Sequence, residues 1–215
     1  MGNYISNLKN FDKVNIVLSI IPRFIIRFRR RKLYDKKYPK SYISSKAYVN
    51  FKKNVTIANE VCIFDDVNIN IEDIKIGKYT DISGPTQIVG LGKVEIGNYC
   101  SIAPDVYIVT NNHNYKRKII YPINSRINAE IGDDHIIGNV KIGNDVWIGR
   151  GVTILPNVEI GNGCVIAANS VIKSGKYNDF SILGGNPAKL IKYRNTNIHN
   201  SEIYNNDIKE LNENE

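Results

Sequence analysis

The chain is poor in the residues that build covalent frameworks and metal centres. Its 215 residues include only three cysteines, three histidines, one tryptophan and one methionine. Cys62, Cys100 and Cys164 form no C-x-x-C pair and leave an odd count, which argues against a disulfide scaffold or a zinc ribbon. They read as small apolar side chains in a reducing compartment, with Cys100 and Cys164 turned inward and Cys62 outward, and no cysteine nucleophile is expected. A long hydrophobic run is also missing. The most apolar stretch, Val14 to Ile26, is broken by Pro22 and Arg23 and is too short to cross a bilayer. The basic tract Arg27 to Lys32 follows that run, the reverse of the order in a secretory signal. The formal net charge of +8 calls for an anionic partner. No nucleic-acid module is recognisable, and the charge gathers near the N-terminus, so no nucleic-acid partner is expected. A membrane surface or a phosphorylated ligand remains.

What the chain has in abundance is a six-residue period. From Val140 to Ser174 it reads V-K-I-G-N-D, V-W-I-G-R-G, V-T-I-L-P-N, V-E-I-G-N-G, C-V-I-A-A-N, S-V-I-K-S-G. Ile142, Ile148, Ile154, Ile160, Ile166 and Ile172 hold one place in the unit. Each V-x-I triplet is a short strand whose side chains alternate, so Val146 and Ile148 face inward and Trp147 outward. Turn-forming residues follow each triplet. Two inward side chains, a bend and two more describe a solenoid.

Upstream the same positions are Ile57, Ile63 and Ile69, then Ile76, Ile82 and Ile88, then Ile96, Ile102 and Ile108. Within each trio the step is six; between trios it is seven, eight and thirty-four. Every irregularity thus falls after three units. If one coil holds three units, all the extra residues leave at one corner of a three-sided prism. Asn98, Asn144 and Asn162 each follow I-G in the first unit of a trio and should stack as a ladder. This predicts five full coils from Val55 to about Ser174, with partial coils at the ends.

The strings I-G-N-Y-C-S-I-A-P-D-V at 96–106, T-N-N-H at 110–113, K-I-G-N-D-V-W-I-G at 141–149, V-I-A-A-N-S-V at 165–171 and G-G-N-P-A-K at 184–189 resemble one family. It is the left-handed parallel β-helix, or hexapeptide-repeat, acyltransferase family, in particular maltose and galactoside, xenobiotic and polysaccharide O-acetyltransferases. The resemblance covers roughly residues 49–194. It implies an all-β solenoid with a left-handed coil, acetyl-CoA as co-substrate, a sugar or glycan acceptor, and a homotrimer binding CoA between subunits.

Three regions are expected. Residues 1–40 lack the hexad and read as a basic, amphipathic, partly helical segment. They either pack on the β-helix or a neighbouring subunit, or lie on the inner face of a membrane through residues 14–32, with Arg29, Arg30, Arg31 and Lys32 on anionic lipid. The protein is otherwise cytoplasmic. Residues 41–194 form the acetyltransferase domain, with 41–48 leading in, a protruding loop at 109–139 and a cap at 175–194. Residues 195–215, rich in Asn and Glu, read as a polar tail.

Of the three histidines, His199 lies in that tail and His135 just before the solenoid resumes. His113 sits at the root of the long loop, where the resemblance places a catalytic base in a T-x-x-H context. Imidazole titrates near neutral pH and can take a hydroxyl proton as the oxygen attacks a thioester. Asn111, Asn112 or a loop carbonyl could orient it. Ser83 is a candidate acceptor contact, with a plain turn residue as the alternative. For the cofactor, the resemblance implies Trp147, Gly149 and Ala168 along the pantetheine arm, and Lys173, Lys189 and Lys192 against CoA phosphates. Trp147 could equally fill a subunit interface.

The implied activity is acetyl transfer to a sugar hydroxyl in polysaccharide or surface-glycan biosynthesis. Amino-sugar N-acetylation and xenobiotic acetylation are the alternatives. Gamma-type carbonic anhydrases share this fold and hold zinc with three histidines; that needs a close histidine pair, and His113 and His135 lie 22 residues apart, so no metal is expected. An ice-binding face would need outward Thr ladders, whereas Trp147, Thr153, Glu159, Val165 and Val171 are mixed.

Overall fold

The structure, a computed structural model, describes residues 23–50, 54–114 and 135–194. The hexads form rungs of two or three residues that stack in parallel on three faces, and each face is a column of in-register strands. The first face runs from Tyr42–Ile43 through Cys62–Ile63, Asp81–Ile82, Ser101–Ile102, Trp147–Ile148 and Val165–Ile166 to Ser181–Gly185. The second carries Tyr48–Val49, the starts of Asn68–Ile76 and Gln87–Ile96, then Tyr107–Val109, Thr153–Ile154 and Val171–Ile172. The third holds Asn54–Ile57, the ends of those two long strands, Val140–Ile142, Val158–Ile160 and Gly175–Tyr177.

The solenoid makes about six turns, the five full coils expected from the period together with partial coils at the ends. Residues 42–49 are not a lead-in: Ile43 pairs with Ile63 and Val49 with Ile69, so they build the first coil. The six-residue step was obscured there because eight residues separate Val49 from Ile57. All the surplus residues, including the thirty-four-residue step, do leave at a single corner, the one between the second and third faces.

The core is a stack of isoleucines. Ile63, Ile69, Ile76, Ile82, Ile88, Ile102, Ile108, Ile148 and Ile154 are all fully inaccessible. Strand alternation turns Trp147 out, 57% exposed, between buried Val146 and Ile148. Cys100 and Cys164 are buried and Cys62 is half-buried. Burial pushes the Cys100 thiol up to about 11, and its Sγ donates to the Gly143 carbonyl, which suits a packing residue and not a nucleophile.

The asparagine ladder forms as the spacing predicts. Asn98 Oδ1 accepts from Lys78 N–H at 2.7 Å, Asn144 Oδ1 from Asn98 N–H at 2.8 Å, and Asn162 Oδ1 from Asn144 N–H at 2.8 Å. Asp179 extends it by one coil, accepting from Asn162 N–H at 2.9 Å. Each carboxamide thereby satisfies a corner amide that strand pairing leaves open. On the third face, cross-strand pairing aligns Lys75, Glu95, Lys141, Glu159 and Lys176 in one row of alternating sign. Opposite charges on neighbouring strands stabilise such a row while keeping it in water.

Both ends are covered. A helix, α1 (Arg23–Lys37), lies against the first coil: Tyr34 is 3% exposed and its hydroxyl donates to the Ala47 carbonyl at 3.1 Å. At the other end Ala188–Tyr193 turns back antiparallel on Ser181–Gly185, and Arg194 clamps Asp145 at 2.8 Å and the Gly163 carbonyl at 2.9 Å. Residues 14–22 of the expected membrane segment, the tail 195–215 with His199, and Lys116, Arg117, Lys118, Tyr121 and Arg126 of the long loop lie outside the described residues.

Candidate active site

The site is built where the chain departs furthest from its period. Past Ile108 the backbone does not turn onto the third face. Thr110, fully buried, anchors the departure: its hydroxyl accepts from Gly92 N–H at 3.0 Å and its carbonyl from Gly138 N–H at 2.8 Å. Gly92 is needed there, since a Cβ would sit 2.8 Å from the Gly138 carbonyl oxygen. From this base Asn111–His113 and His135–Ile137 rise as an antiparallel two-stranded ribbon. His113 is exposed on it, and its N–H donates to Asn112 Oδ1 at 2.8 Å. Asn112 thus holds the backbone of His113.

The ribbon corrects one inference. His113 and His135, 22 residues apart in sequence, are direct cross-strand partners. Separation along the chain was a poor test of proximity, because the hairpin folds those residues back on themselves. Among the described residues, no group of three or more His, Cys, Asp or Glu is placed to hold a metal ion.

The other candidate residues fall in two places. Trp147 pairs with Val165, Val165 with Ile182, and Ile182 with Lys192, so one row across the first face joins Trp147 to Lys192. At about 4.8 Å per strand the two are roughly 14 Å apart. Lys189 stands beside this row, opposite Gly184. Gly149, Ala168 and Ser83 follow first-face strands and lie at the corner between the first and second faces. Lys173 lies instead at the corner from which the ribbon leaves, two coils further on.

Gly149 has a structural reason that sequence reading attributed to the cofactor. It is buried, its N–H donates to the Ile166 carbonyl at 2.9 Å, and a Cβ would meet the Ala168 nitrogen at 2.7 Å and the Ile166 oxygen at 2.8 Å. The next coil already occupies its side-chain space. Ala168 is exposed and carries no such restriction. A groove of about 540 Å³ lies elsewhere, on the third face between Lys141, Glu159 and Lys176, and includes none of the candidate residues.

Comparison with known proteins agrees with this architecture. Residues 139–174 match the family described as bacterial transferase hexapeptide (six repeats). The chain is 42% identical over 125 residues to a Lysinibacillus sphaericus protein assigned as a macrolide acetyltransferase, covering 54% of this chain and 68% of that protein. It is 32% identical to WbbJ of Escherichia coli K12, assigned as a lipopolysaccharide biosynthesis O-acetyl transferase, over 72% of this chain and 76% of WbbJ. A variant of AntD, an N-acyltransferase from Bacillus cereus, solved with dTDP-4-amino-4,6-dideoxyglucose and coenzyme A, superposes with a TM-score of 0.67. It is 25% identical, and the match covers 84% of this chain and 96% of that one. The three relatives differ in acceptor and share acyl transfer. With its six-turn solenoid and this extent of identity, the chain belongs to the left-handed β-helix, hexapeptide-repeat family of acetyltransferases.

Proposed function

We propose that the protein transfers the acetyl group of acetyl-CoA to a sugar hydroxyl in glycan biosynthesis, with His113 as general base. The observation that carries this reading is the placement of T-N-N-H: a buried threonine at the root, an asparagine holding the backbone, and an exposed imidazole on a paired ribbon. His113 takes the hydroxyl proton as the sugar oxygen attacks the thioester carbon. The carbon–sulfur bond then breaks, CoA departs as a thiolate, and the imidazolium returns the proton to it. Trp147, Lys189 and Lys192, on one face, Gly149 and Ala168 at its edge, and Lys173 at the corner from which the ribbon leaves are assigned to the cofactor. Asn111, Asn112 and Ser83 are assigned to the surroundings of the acceptor. Acetyl-CoA consumption measured against hydroxyl sugars, amino sugars and hydroxylated antibiotics tests the assignment. Turnover confined to amino sugars or antibiotics would replace it with one of those alternatives.

The site is read as shared between subunits of a homotrimer. His113 and Ser83 stand on opposite edges of the second face, so one chain does not bring them together. The third face, with its compensated charge row, suits water, whereas the first and second faces expose Trp147, Tyr42, Tyr48 and Tyr107. Sedimentation should give three times the 24.3 kDa chain mass. A fully active monomer would sink the shared site.

The N-terminal segment is read as a peripheral contact with the inner face of a membrane. Its described part, α1, exposes Phe24 and Phe28 among arginines and lysines, which supports that reading. No helix among the described residues is long and apolar enough to cross a membrane.

A further inference from the structure

Where α1 crosses the corner of the first coil it leaves a cleft of about 290 Å³. Arg23, Arg27 and Arg30 line it from the helix, and Ser45, Lys46 and Asp66 from the corners of the first two coils. The helical spacing of 23, 27 and 30 puts the three guanidinium groups on one side of α1. No carboxylate among the described residues forms an ion pair with any of the three. Lys46 is bound by the Asp65 carboxylate, which Ser44 also contacts. Arg30 is partly held by the Ala47 carbonyl at 3.5 Å and by the Tyr48 ring, 5.5 Å from its centroid. With Asp65 and Asp66 counted, four cations face two carboxylates, and positive charge is in excess around a concave space.

Such a space, ringed by guanidinium forks, fits a phosphoryl group, whose oxygens accept paired N–H donors. The adjoining flank of α1 decides which phosphoryl group. Phe24 and Phe28, one turn apart and 71% and 53% exposed, stand beside Arg27, with Lys32 Nζ 4.7 Å from the centroid of the Phe28 ring. A free phosphate would have no use for them, whereas a lipid headgroup brings acyl chains next to its phosphate. We propose that the cleft between α1 and the first coil seats the phosphate of an anionic phospholipid, with Phe24 and Phe28 in the adjacent acyl boundary. This rests on the peripheral-membrane reading and replaces a diffuse basic patch with a discrete site.

The test uses the full chain and vesicles of phosphatidylcholine with phosphatidylglycerol. Two double variants remove equal charge: R23Q/R27Q from the cleft, and R29Q/K32Q from helix positions outside it. Glutamine is a good helix former, so both should keep the fold, checked by circular dichroism and sedimentation. Wild-type partitioning should be competed by millimolar inorganic diphosphate at constant ionic strength. R23Q/R27Q should bind roughly 30-fold less or weaker still, and its residual binding should be insensitive to diphosphate. R29Q/K32Q should weaken through the general field yet stay diphosphate-sensitive. Equal losses in the two variants, with no competition in wild type, would overturn the discrete site and leave membrane contact standing. If wild type does not partition at all, the membrane reading falls. Calorimetric binding of diphosphate to wild type but not to R23Q/R27Q would then assign the cleft to a soluble phosphate and overturn the lipid. Absence of both would overturn the proposal entirely.

Discussion

Replacing His113 with alanine should lower turnover by roughly 10²–10⁴-fold, the usual contribution of a general base. Stability and CoA affinity should hardly change. The imidazole is exposed, and the ribbon that carries it is held by main-chain pairing of Asn111–His113 with His135–Ile137 and by Thr110 beneath. The expected signature is therefore a loss in kcat with an unchanged Kd for CoA and an unchanged melting temperature. A variant that turns over at nearly the wild-type rate would remove His113 from the mechanism. Attention would then pass to His135, its partner across the ribbon.

The second large effect separates coil stacking from cofactor binding. Gly149→Val should destabilise the fold by about 3 kcal/mol. The added side chain must displace the backbone of the following coil at Ile166 and Ala168, and the Gly149 N–H to Ile166 carbonyl bond is strained with it. Ala168→Val should leave the melting temperature within about a degree, because Ala168 is exposed. If a pantetheine arm runs over this corner, Ala168→Val should instead raise the KM for acetyl-CoA several-fold. An unchanged KM would move the cofactor away from Ala168, and an unaltered melting temperature for Gly149→Val would contradict the stacking geometry.

How much of this was legible in the sequence follows from the physics of a solenoid. Each coil contacts only its neighbours, so the fold is nearly a one-dimensional object and a one-dimensional pattern describes it well. The hexad determined the buried isoleucine stack, the outward Trp147, the corner at which the long loop leaves, and the Asn98–Asn144–Asn162 ladder. The first coil, read as a lead-in over 41–48, begins at Tyr42; the eight-residue step from Val49 to Ile57 hid its period. Asp179 was missed as the last member of the ladder because its side chain does asparagine's work without asparagine's letter.

The site was legible only as residue types in the right context. His113 was singled out by its place at the foot of the long interruption. That it faces His135 depends on an antiparallel ribbon, which the hexad does not encode because those residues lie outside the repeat. Gly149 was assigned to the cofactor by resemblance, and the tertiary structure gives it a further reason, since the next coil occupies its side-chain space. Ser83 and His113 lie on opposite edges of the second face, a relation that appears only once the three faces are closed into a prism. The sequence by itself determined the coil, since strand alternation and turn chemistry are local and recur every six residues. Tertiary structure alone decided which corners and rows the reactive and basic side chains share. Those neighbours come from different coils and from α1, brought together by stacking and docking rather than by spacing along the chain.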